Sequence, residues 1–258
     1  MKKSITINNI VDLFRFVKNC CDGKSIVYRG QPIDRDLLPK IARVKLISPK
    51  DKSERLMFDS FTRMSHPHLT EGRKTQVEML AIAQHHGMAT RLLDWSNNPM
   101  VALWFAVDKA PAKDEKGNVE NGVLWALDIS ELETISESET LDPFEINRTM
   151  IFRPKHIVAR IISQFGIFTI HHYDHGEGGW VALNRNREFQ NKLTKVIIPS
   201  CIFHDLRKEL DRFGFNPATM FPDLEGVCRN SQWQHSYLDD EGPARLKIPL
   251  GVKVVRYK

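Results

Sequence analysis

The segment from Gln84 to Pro99 holds the densest group of side chains in the sequence that could do chemistry. Its polar members include two imidazoles, a guanidinium, a carboxylate, an amide and two hydroxyls, from Gln84, His85, His86, Thr90, Arg91, Asp94 and Ser96. Polar groups at a break between buried elements must be hydrogen-bonded or face a cavity. We therefore take this segment as the first candidate for a ligand site.

Some of these side chains also have a purely structural interpretation. Arg91 and Asp94 could pair with each other and with helix ends, and so fix a turn. His85 lies seven positions after Glu78, on the same face of a predicted helix, which favours a functional role. His86 lies about 100° further round that helix and is interpreted as an ordinary helix residue.

Two reaction classes are disfavoured by spacing. Adjacent histidines point away from each other on a helix, whereas helical metal ligands are spaced i and i+4, so no metal site is expected. Neither Ser25 nor Ser96 lies in a G-x-S-x-G setting, so a serine hydrolase is not indicated.

A second candidate site is the tetrapeptide Tyr28-Arg29-Gly30-Gln31. An arginine at the end of an apolar strand can present its guanidinium fork to a phosphate, and the following glycine lets a ligand approach the backbone. A surface arginine before an ordinary turn is the alternative. The sequence has no G-x-G-x-x-G or P-loop motif, so it indicates neither a Rossmann nor a Walker nucleotide site.

A third candidate site contains two carboxylates, Asp223 and Glu225, near the start of a predicted helix. Asp223 is expected to cap that helix. Glu225 is the better candidate for a catalytic carboxylate, because it could polarise a ribose hydroxyl or stabilise a cationic intermediate.

The elements that position these residues follow from apolar periodicity and from capping residues. Helices are predicted over 9–21, 53–64 with Ser53 as its cap, 75–86, from 98 to about 107, and 200–213 with Ser200 as its cap. Strands are predicted over 25–30, 122–129, 166–172, 193–199 and 246–257. This order favours an α+β fold in one domain, with a mixed or antiparallel sheet packed by helices.

The composition fits a folded, water-exposed chain. Of the 258 residues 41% are hydrophobic and 27% charged, which argues against disordered, collagen-like and coiled-coil classes. The net charge of +5 is compatible with an anionic ligand or with nucleic acid. No apolar run is long enough to span a bilayer, and no membrane partner is expected. Four cysteines without a C-x-x-C pair predict reduced, mostly packed thiols in a cytoplasmic protein.

Taken together, these blocks resemble the FRG domain, which is named for a Phe-Arg-Gly motif in its first strand. Here that motif is Tyr28-Arg29-Gly30, and the most specific block runs from Ala83 through Thr90 to Trp95 and on to Asn98-Pro99. The late block is Phe221-Pro222-Asp223-Leu224-Glu225-Gly226. The resemblance covers residues 25–228 and predicts a single FRG-type domain over 1–258.

The Tyr-Arg-Gly strand is also similar to the first strand of ADP-ribosyltransferases that use NAD. This resemblance implies a fold of that type, in which Arg29 holds the phosphate and ribose side of NAD and Glu225 acts on the ribose. Thr90 and Ser96 are the alternatives for the hydroxyl that such sites carry. The residues predicted to bind NAD are Arg29, Gly30, Gln31, Gln84, Thr90, Arg91 and Asp94, and those predicted to be catalytic are Glu225, His85 and Arg29.

The sequence thus predicts an intracellular effector that uses NAD as a substrate, without a metal, and either transfers ADP-ribose or hydrolyses NAD. Its target would be an unknown protein or nucleic acid, and the company in which FRG domains occur implies a bacterial toxin or phage-defence role. Two alternatives stay open. One is a metal-dependent nuclease or other nucleic-acid-acting enzyme that uses His85, His86 and Asp94, and the other is a non-catalytic ligand-binding module.

Overall fold

The computed structural model describes residues 4–20, 23–47, 50–69, 72, 74–135, 141–154, 166–176 and 179–241. In these ranges the helices are α1 Ile10–Cys20, α2 Lys40–Arg43, α3 Lys50–Ser65, α4 Gln76–His85, α5 Pro99–Val107, α6 Arg187–Gln190, α7 Phe203–Arg212, α8 Pro217–Met220 and α9 Leu224–Gln234. The strands are β1 Ile5–Thr6, β2 Ile26–Gln31, β3 Leu92–Ser96, β4 Gly122–Asp128, β5 Thr134–Ile135, β6 Met150–Phe152, β7 Gly166–Ile170, β8 Tyr173–Asp174, β9 Gly179–Trp180 and β10 Leu193–Ile198. Short 3₁₀ helices span His66–His68, Leu183–Arg185 and Ser200–Ile202.

Eight strands form one sheet in the order β1-β10-β4-β2-β3-β7-β6-β5, and β8 and β9 form a small hairpin. The sheet is mixed, because β1 runs parallel to β10 and β5 parallel to β6, whereas the other neighbours are antiparallel. The predicted α+β class, with a mixed sheet packed by helices, is confirmed. The strand predicted over 246–257 lies outside the described residues.

Backbone pairing is weakest at the centre of the sheet. Strand β2 pairs with β4 at six positions and β3 pairs with β7 at five, but β2 and β3 share a single pair, Tyr28 opposite Ser96. The sheet therefore consists of two well-paired halves that meet at one position. Next to this position β2 and β3 are not paired, and the side chain of Arg29 in β2 donates to the backbone oxygen of Asp94 in β3 at 2.8 Å, which bridges the gap between the strands.

Side chains from successive residues of β2 point to opposite faces of the sheet and reach different apolar clusters. Tyr28 joins the cluster beneath α1, α5 and α7, whereas Val27 packs with Trp95 and Trp125 on the other face. Helices α3 and α4 cover the half of the sheet that contains β3, β7 and β6. The helix α5 is buried nearly all round, as its unbroken apolar sequence predicts.

Four predicted helix starts can be compared with the structure. Thr75 caps α4 and Asn98 caps α5, which confirms both predicted starts. Ser53 is not a cap, because α3 begins at Lys50 and encloses it. Ser200 is not a cap for α7 either, because it begins a 3₁₀ turn after Pro199, and α7 starts only at Phe203.

The strand β3 was not expected from the sequence, which indicated a polar break between helices at this place. Leu93 and Trp95 pack on one face of the sheet, while Leu92 packs on the other against α4. All five residues of β3 pair with β7, which satisfies one side of the backbone. The alternation is only five residues long and contains Asp94, so the polar side chain obscured a buried strand.

Gly30 is the position where α5 comes closest to β2. A Cβ atom there would lie 1.8 Å from the backbone oxygen of Ala102 and 2.8 Å from the backbone nitrogen of Ala106. Because backbone atoms cannot rotate away, any side chain at this position must push α5 off the sheet. The glycine of the Tyr-Arg-Gly motif is thus required by helix packing.

We predict that Gly30→Ala lowers the free energy of unfolding by about 3 kcal/mol or more, because overpacking against backbone forces the helix to move. Denaturant unfolding followed by circular dichroism measures the loss. Gly179→Ala is the matched control, since a Cβ there meets no atom within 4 Å. Equal stability of the Gly30→Ala variant and the wild type would contradict this packing.

Candidate functional site

A cavity of about 440 Å³ opens where β2 and β3 part. Its walls come from β2, β3, β7, α4 and α5, from the two residues that follow α5, and from Phe221 and Arg229 in the segment around α8 and α9. Five of the residues predicted for the site line it together: Arg29, Gly30, Gln84, His85 and Asp94. The first-strand motif and the central polar block therefore meet at one place, although 50 or more residues separate them in the sequence.

Arg29 lies at the base of this cavity with its side chain 18% exposed. One terminal nitrogen donates to the backbone oxygen of Asp94 and lies 3.6 Å from the Asp94 carboxylate. Its Nε is buried without a hydrogen-bond partner in the described part of the chain. Burial lowers the pKa of Arg29, and Asp94 opposes that change. An arginine keeps its charge in proteins, so an unpaired donor remains for an incoming anion.

Asp94 is held in place by a chain of side-chain hydrogen bonds. Thr90 donates its hydroxyl to the amide oxygen of Gln84, and the amide nitrogen of Gln84 donates to the Asp94 carboxylate at 2.7 Å. Gln84 and Asp94 line the cavity, but Thr90 is fully buried and does not. Thr90 therefore positions Gln84 and does not itself contact the cavity. The other candidate hydroxyl, Ser96, lines the cavity and accepts a hydrogen bond from the Asn98 backbone.

His85 is half-buried at the end of α4 and lines the cavity. His86 is exposed on the same helix and does not line the cavity, as expected for an ordinary residue. Glu78, whose position had favoured His85, accepts a hydrogen bond from the Thr75 backbone in a capping box. Glu78 therefore serves the helix start, and it does not line the cavity with His85.

The predicted pairing of Arg91 with Asp94 is wrong. Arg91 is almost fully buried and its guanidinium makes two hydrogen bonds to the Glu54 carboxylate, at 2.8 and 3.0 Å. A third goes to the backbone oxygen of Pro143 at 2.7 Å. Asp94 and Arg91 differ in burial because Asp94, in β3, lies at the cavity, whereas Arg91, just before β3, is bonded to Glu54 of α3. Arg91 does not line the cavity.

Gln31 and Glu225 also lie outside the cavity lining. Gln31 accepts a hydrogen bond from the indole of Trp125 at 3.1 Å. Glu225 is 69% exposed in the first turn of α9 and lies 2.5 Å from Arg229, which does line the cavity. Asp223 accepts a hydrogen bond from the Gly226 backbone at 2.8 Å, which confirms the predicted helix cap.

The sequence did not reveal Asp108, which lines the cavity at the end of α5. Burial raises the pKa of Asp108 to about 6, although Lys109, Arg207 and Arg229 oppose the rise. A carboxylate at the C-terminal end of a helix faces the negative end of the helix dipole. That unfavourable placement is the signal in the sequence that could have identified Asp108. A carboxyl that titrates near neutral pH in a cavity suits proton transfer.

His171 is a second buried titratable group near Arg29. It is 1% exposed, and its Nδ1 has no partner within the described ranges. Burial lowers the pKa of His171 to about 3, and the charges of Arg29 and Arg91 lower it further. At neutral pH the imidazole is therefore uncharged beside the two arginines, which avoids a third buried positive charge.

No three histidine, cysteine, aspartate or glutamate side chains among the described residues come together in a way that could hold a metal ion. Within the same residues, no helix combines the length and the apolarity needed to cross a bilayer.

The expected packing of the cysteines is wrong for Cys201 and Cys228, whose side chains are exposed.

We predict that Arg91→Ala lowers the free energy of unfolding by about 3–5 kcal/mol, because it leaves the Glu54 carboxylate buried without its partner. Arg29→Ala removes a side chain that is only partly hydrogen-bonded, and the Asp94 side chain that it leaves behind is 59% exposed to solvent. This variant should therefore lower the free energy of unfolding by less than about 1 kcal/mol. Urea denaturation of both variants checks the contrast. Replacing both partners, in an Arg91→Met/Glu54→Leu variant, should recover much of the lost stability. Similar losses for Arg91→Ala and Arg29→Ala would contradict this assignment.

A second prediction concerns pH and Asp108. The pKa of Asp108 is about 6 in the folded chain and 3.8 ordinarily, so the folded chain binds a proton more tightly than the unfolded chain does. Above pH 6 the buried carboxyl is ionised, which makes folding less favourable. The Asp108→Asn variant should therefore be about 3 kcal/mol more stable than the wild type at pH 7.5, and the difference should vanish near pH 4. Chemical denaturation across this range measures it. A difference that does not change with pH would contradict the raised pKa.

Comparison with known proteins adds one match. Residues 24–115 match the family model of the FRG domain, and this confirms the resemblance for just over a third of the chain. The late block around Phe221 lies beyond the matched residues. No curated protein and no solved structure gives a significant match. The matched segment carries β2, α4, β3 and α5, so most of the cavity wall belongs to the part of the chain that matches the FRG domain.

Proposed function

We propose that this chain binds NAD in the cavity between β2 and β3 and breaks the bond between nicotinamide and ribose. The ADP-ribosyl group would then pass to water or to an acceptor. The observation that carries the proposal is Arg29, a mostly buried guanidinium that lines the cavity and whose Nε has no hydrogen-bond partner in the described part of the chain. The similarity of the Tyr-Arg-Gly strand to the first strand of ADP-ribosyltransferases supports the same assignment.

Arg29 supplies the anchor for the diphosphate of NAD. A buried donor without a partner costs free energy until a ligand oxygen accepts from it. Phosphate oxygens suit a guanidinium because its planar fork can donate two parallel hydrogen bonds. Asp94 holds the guanidinium from one side through its backbone oxygen, so Arg29 is oriented before the ligand arrives.

Carboxylates in the cavity supply the charge that the reaction requires. Loss of nicotinamide leaves positive charge on the ribose in the transition state, and a nearby carboxylate stabilises it. The resemblance gives the ribose-binding role to Glu225, but Asp108 lines the cavity while Glu225 faces solvent. In our proposal Asp108 therefore accepts a hydrogen bond from a ribose hydroxyl, and Glu225 positions Arg229.

Aromatic side chains give the cavity walls that planar rings require. Tyr28, Phe105 and Phe221 line it, and the rings of Phe105 and Phe221 lie edge to face at 6.4 Å. Such surfaces pack against flat heterocycles and exclude water from the reacting bond. His85 contributes a polar edge at the same cavity.

A toxin or phage-defence role, and the nature of the acceptor, stay predictions.

The proposal is tested by measuring nicotinamide released from NAD by mass spectrometry, with purified protein alone and with added cell lysate. We expect Arg29→Ala to lower the release at least about 100-fold, because it removes the anchor that orients the substrate. Arg29→Lys should recover only part of the activity, since lysine lacks the planar fork.

Arg15→Ala is the matched control, because this arginine is 72% exposed on α1 and lies outside the cavity lining. Release by the Arg29→Ala variant at the wild-type rate would refute the proposal. Tight NAD binding by the wild type without any release would instead favour the non-catalytic binding module.

A further inference from the structure

A second cavity of about 310 Å³ adjoins the first. The two cavities share Asp108, Lys109, Phe221 and Arg229 in their walls, so we call these four residues the shared wall. A cavity pair with one shared wall can hold a ligand that has two bulky ends joined by a narrow middle.

The second cavity differs from the first in its chemistry. Apart from the shared wall, eight residues line it, and three of these are aromatic: Trp104, Phe215 and Trp233. The rings of Trp104 and Phe221 lie 5.8 Å apart, which places an aromatic surface next to the shared wall. Gln232 adds one amide, which can both donate to and accept from a heterocycle edge. These features suit stacking of a planar base.

We propose that the second cavity binds the adenine ring of NAD, so that the dinucleotide extends through both cavities across the shared wall. This inference rests on the proposed function. The reacting nicotinamide end belongs to the first cavity, because Arg29, His85 and Asp94 lie there. The unreactive base then occupies the second cavity, where stacking and one amide are sufficient for recognition.

The shared wall also provides cations for the diphosphate. Lys109 is exposed, and Arg229 is 54% exposed beside Glu225. A solvent-exposed ion pair is weak, so a phosphate can compete with Glu225 for Arg229. Arg207 has a different role. Its guanidinium donates to the backbone oxygens of Val107 and Lys109 and thereby fixes the end of α5.

The test compares the binding of NAD, AMP and nicotinamide mononucleotide by calorimetry. Trp233→Leu removes one aromatic side chain of the second cavity, and Phe105→Leu is the matched variant in the first. We expect Trp233→Leu to weaken NAD and AMP binding roughly tenfold and to leave nicotinamide mononucleotide binding unchanged. Phe105→Leu should weaken nicotinamide mononucleotide binding and leave AMP binding unchanged.

Gln232→Ala is a second variant for the same cavity, and because Gln232 is exposed, this change should not disturb folding. It should weaken the binding of AMP several-fold and leave the binding of nicotinamide mononucleotide unchanged. The inference is overturned if AMP binds both second-cavity variants as tightly as the wild type, while nicotinamide release proceeds normally. If the variants show the expected pattern but NAD is never cleaved, the proposed reaction fails and the adenine site stands. If the wild type binds none of the three compounds, both fail.

Discussion

The central constraint on this fold is that its two half-sheets are joined by one paired position, Tyr28 opposite Ser96. On either side of that joint β2 and β3 are fully paired with β4 and β7, so the gap is confined to the boundary between β2 and β3. The helix α5 reinforces the joint because Gly30 lets the Ala102 backbone approach β2 without a side chain between them. Beside the gap, the Arg29 side chain donates to the backbone oxygen of Asp94 and so links β2 to β3. The cavity is therefore a direct consequence of how the sheet is assembled.

Two arginines near the gap show how the same side chain serves different purposes. Arg91 is buried with three side-chain hydrogen bonds, two of them to Glu54, and so it fixes β3 against α3. Arg29 lines the cavity, and its buried Nε has no hydrogen-bond partner among the described residues. His171 stays uncharged beside them, because burial and both positive charges lower its pKa to about 3. The positive charge of Arg91 is thus neutralised within the fold, whereas that of Arg29 is available to a ligand.

The sequence predicted much of the frame and part of the site. Apolar periodicity and the capping residues Thr75 and Asn98 were sufficient to place α4 and α5, since these are local signals. Arg29 and Asp94 were recognised by residue type and line the cavity as expected. The partner of Arg91 was missed because Glu54 lies 37 residues away, and no local pattern reports which distant carboxylate neutralises a buried charge. Asp108 was missed for a related reason, since its burial depends on neighbours from other parts of the chain.

The account depends on one claim, that the gap between the half-sheets is a dinucleotide site anchored by Arg29. A crystal structure with an NAD analogue that has carbon in place of the glycosidic nitrogen, and so cannot be cleaved, tests it most directly. The account predicts that the analogue lies between β2 and β3, with a phosphate oxygen within hydrogen-bond distance of the Arg29 Nε. An analogue bound elsewhere on the protein, or one whose diphosphate does not contact Arg29, would contradict it.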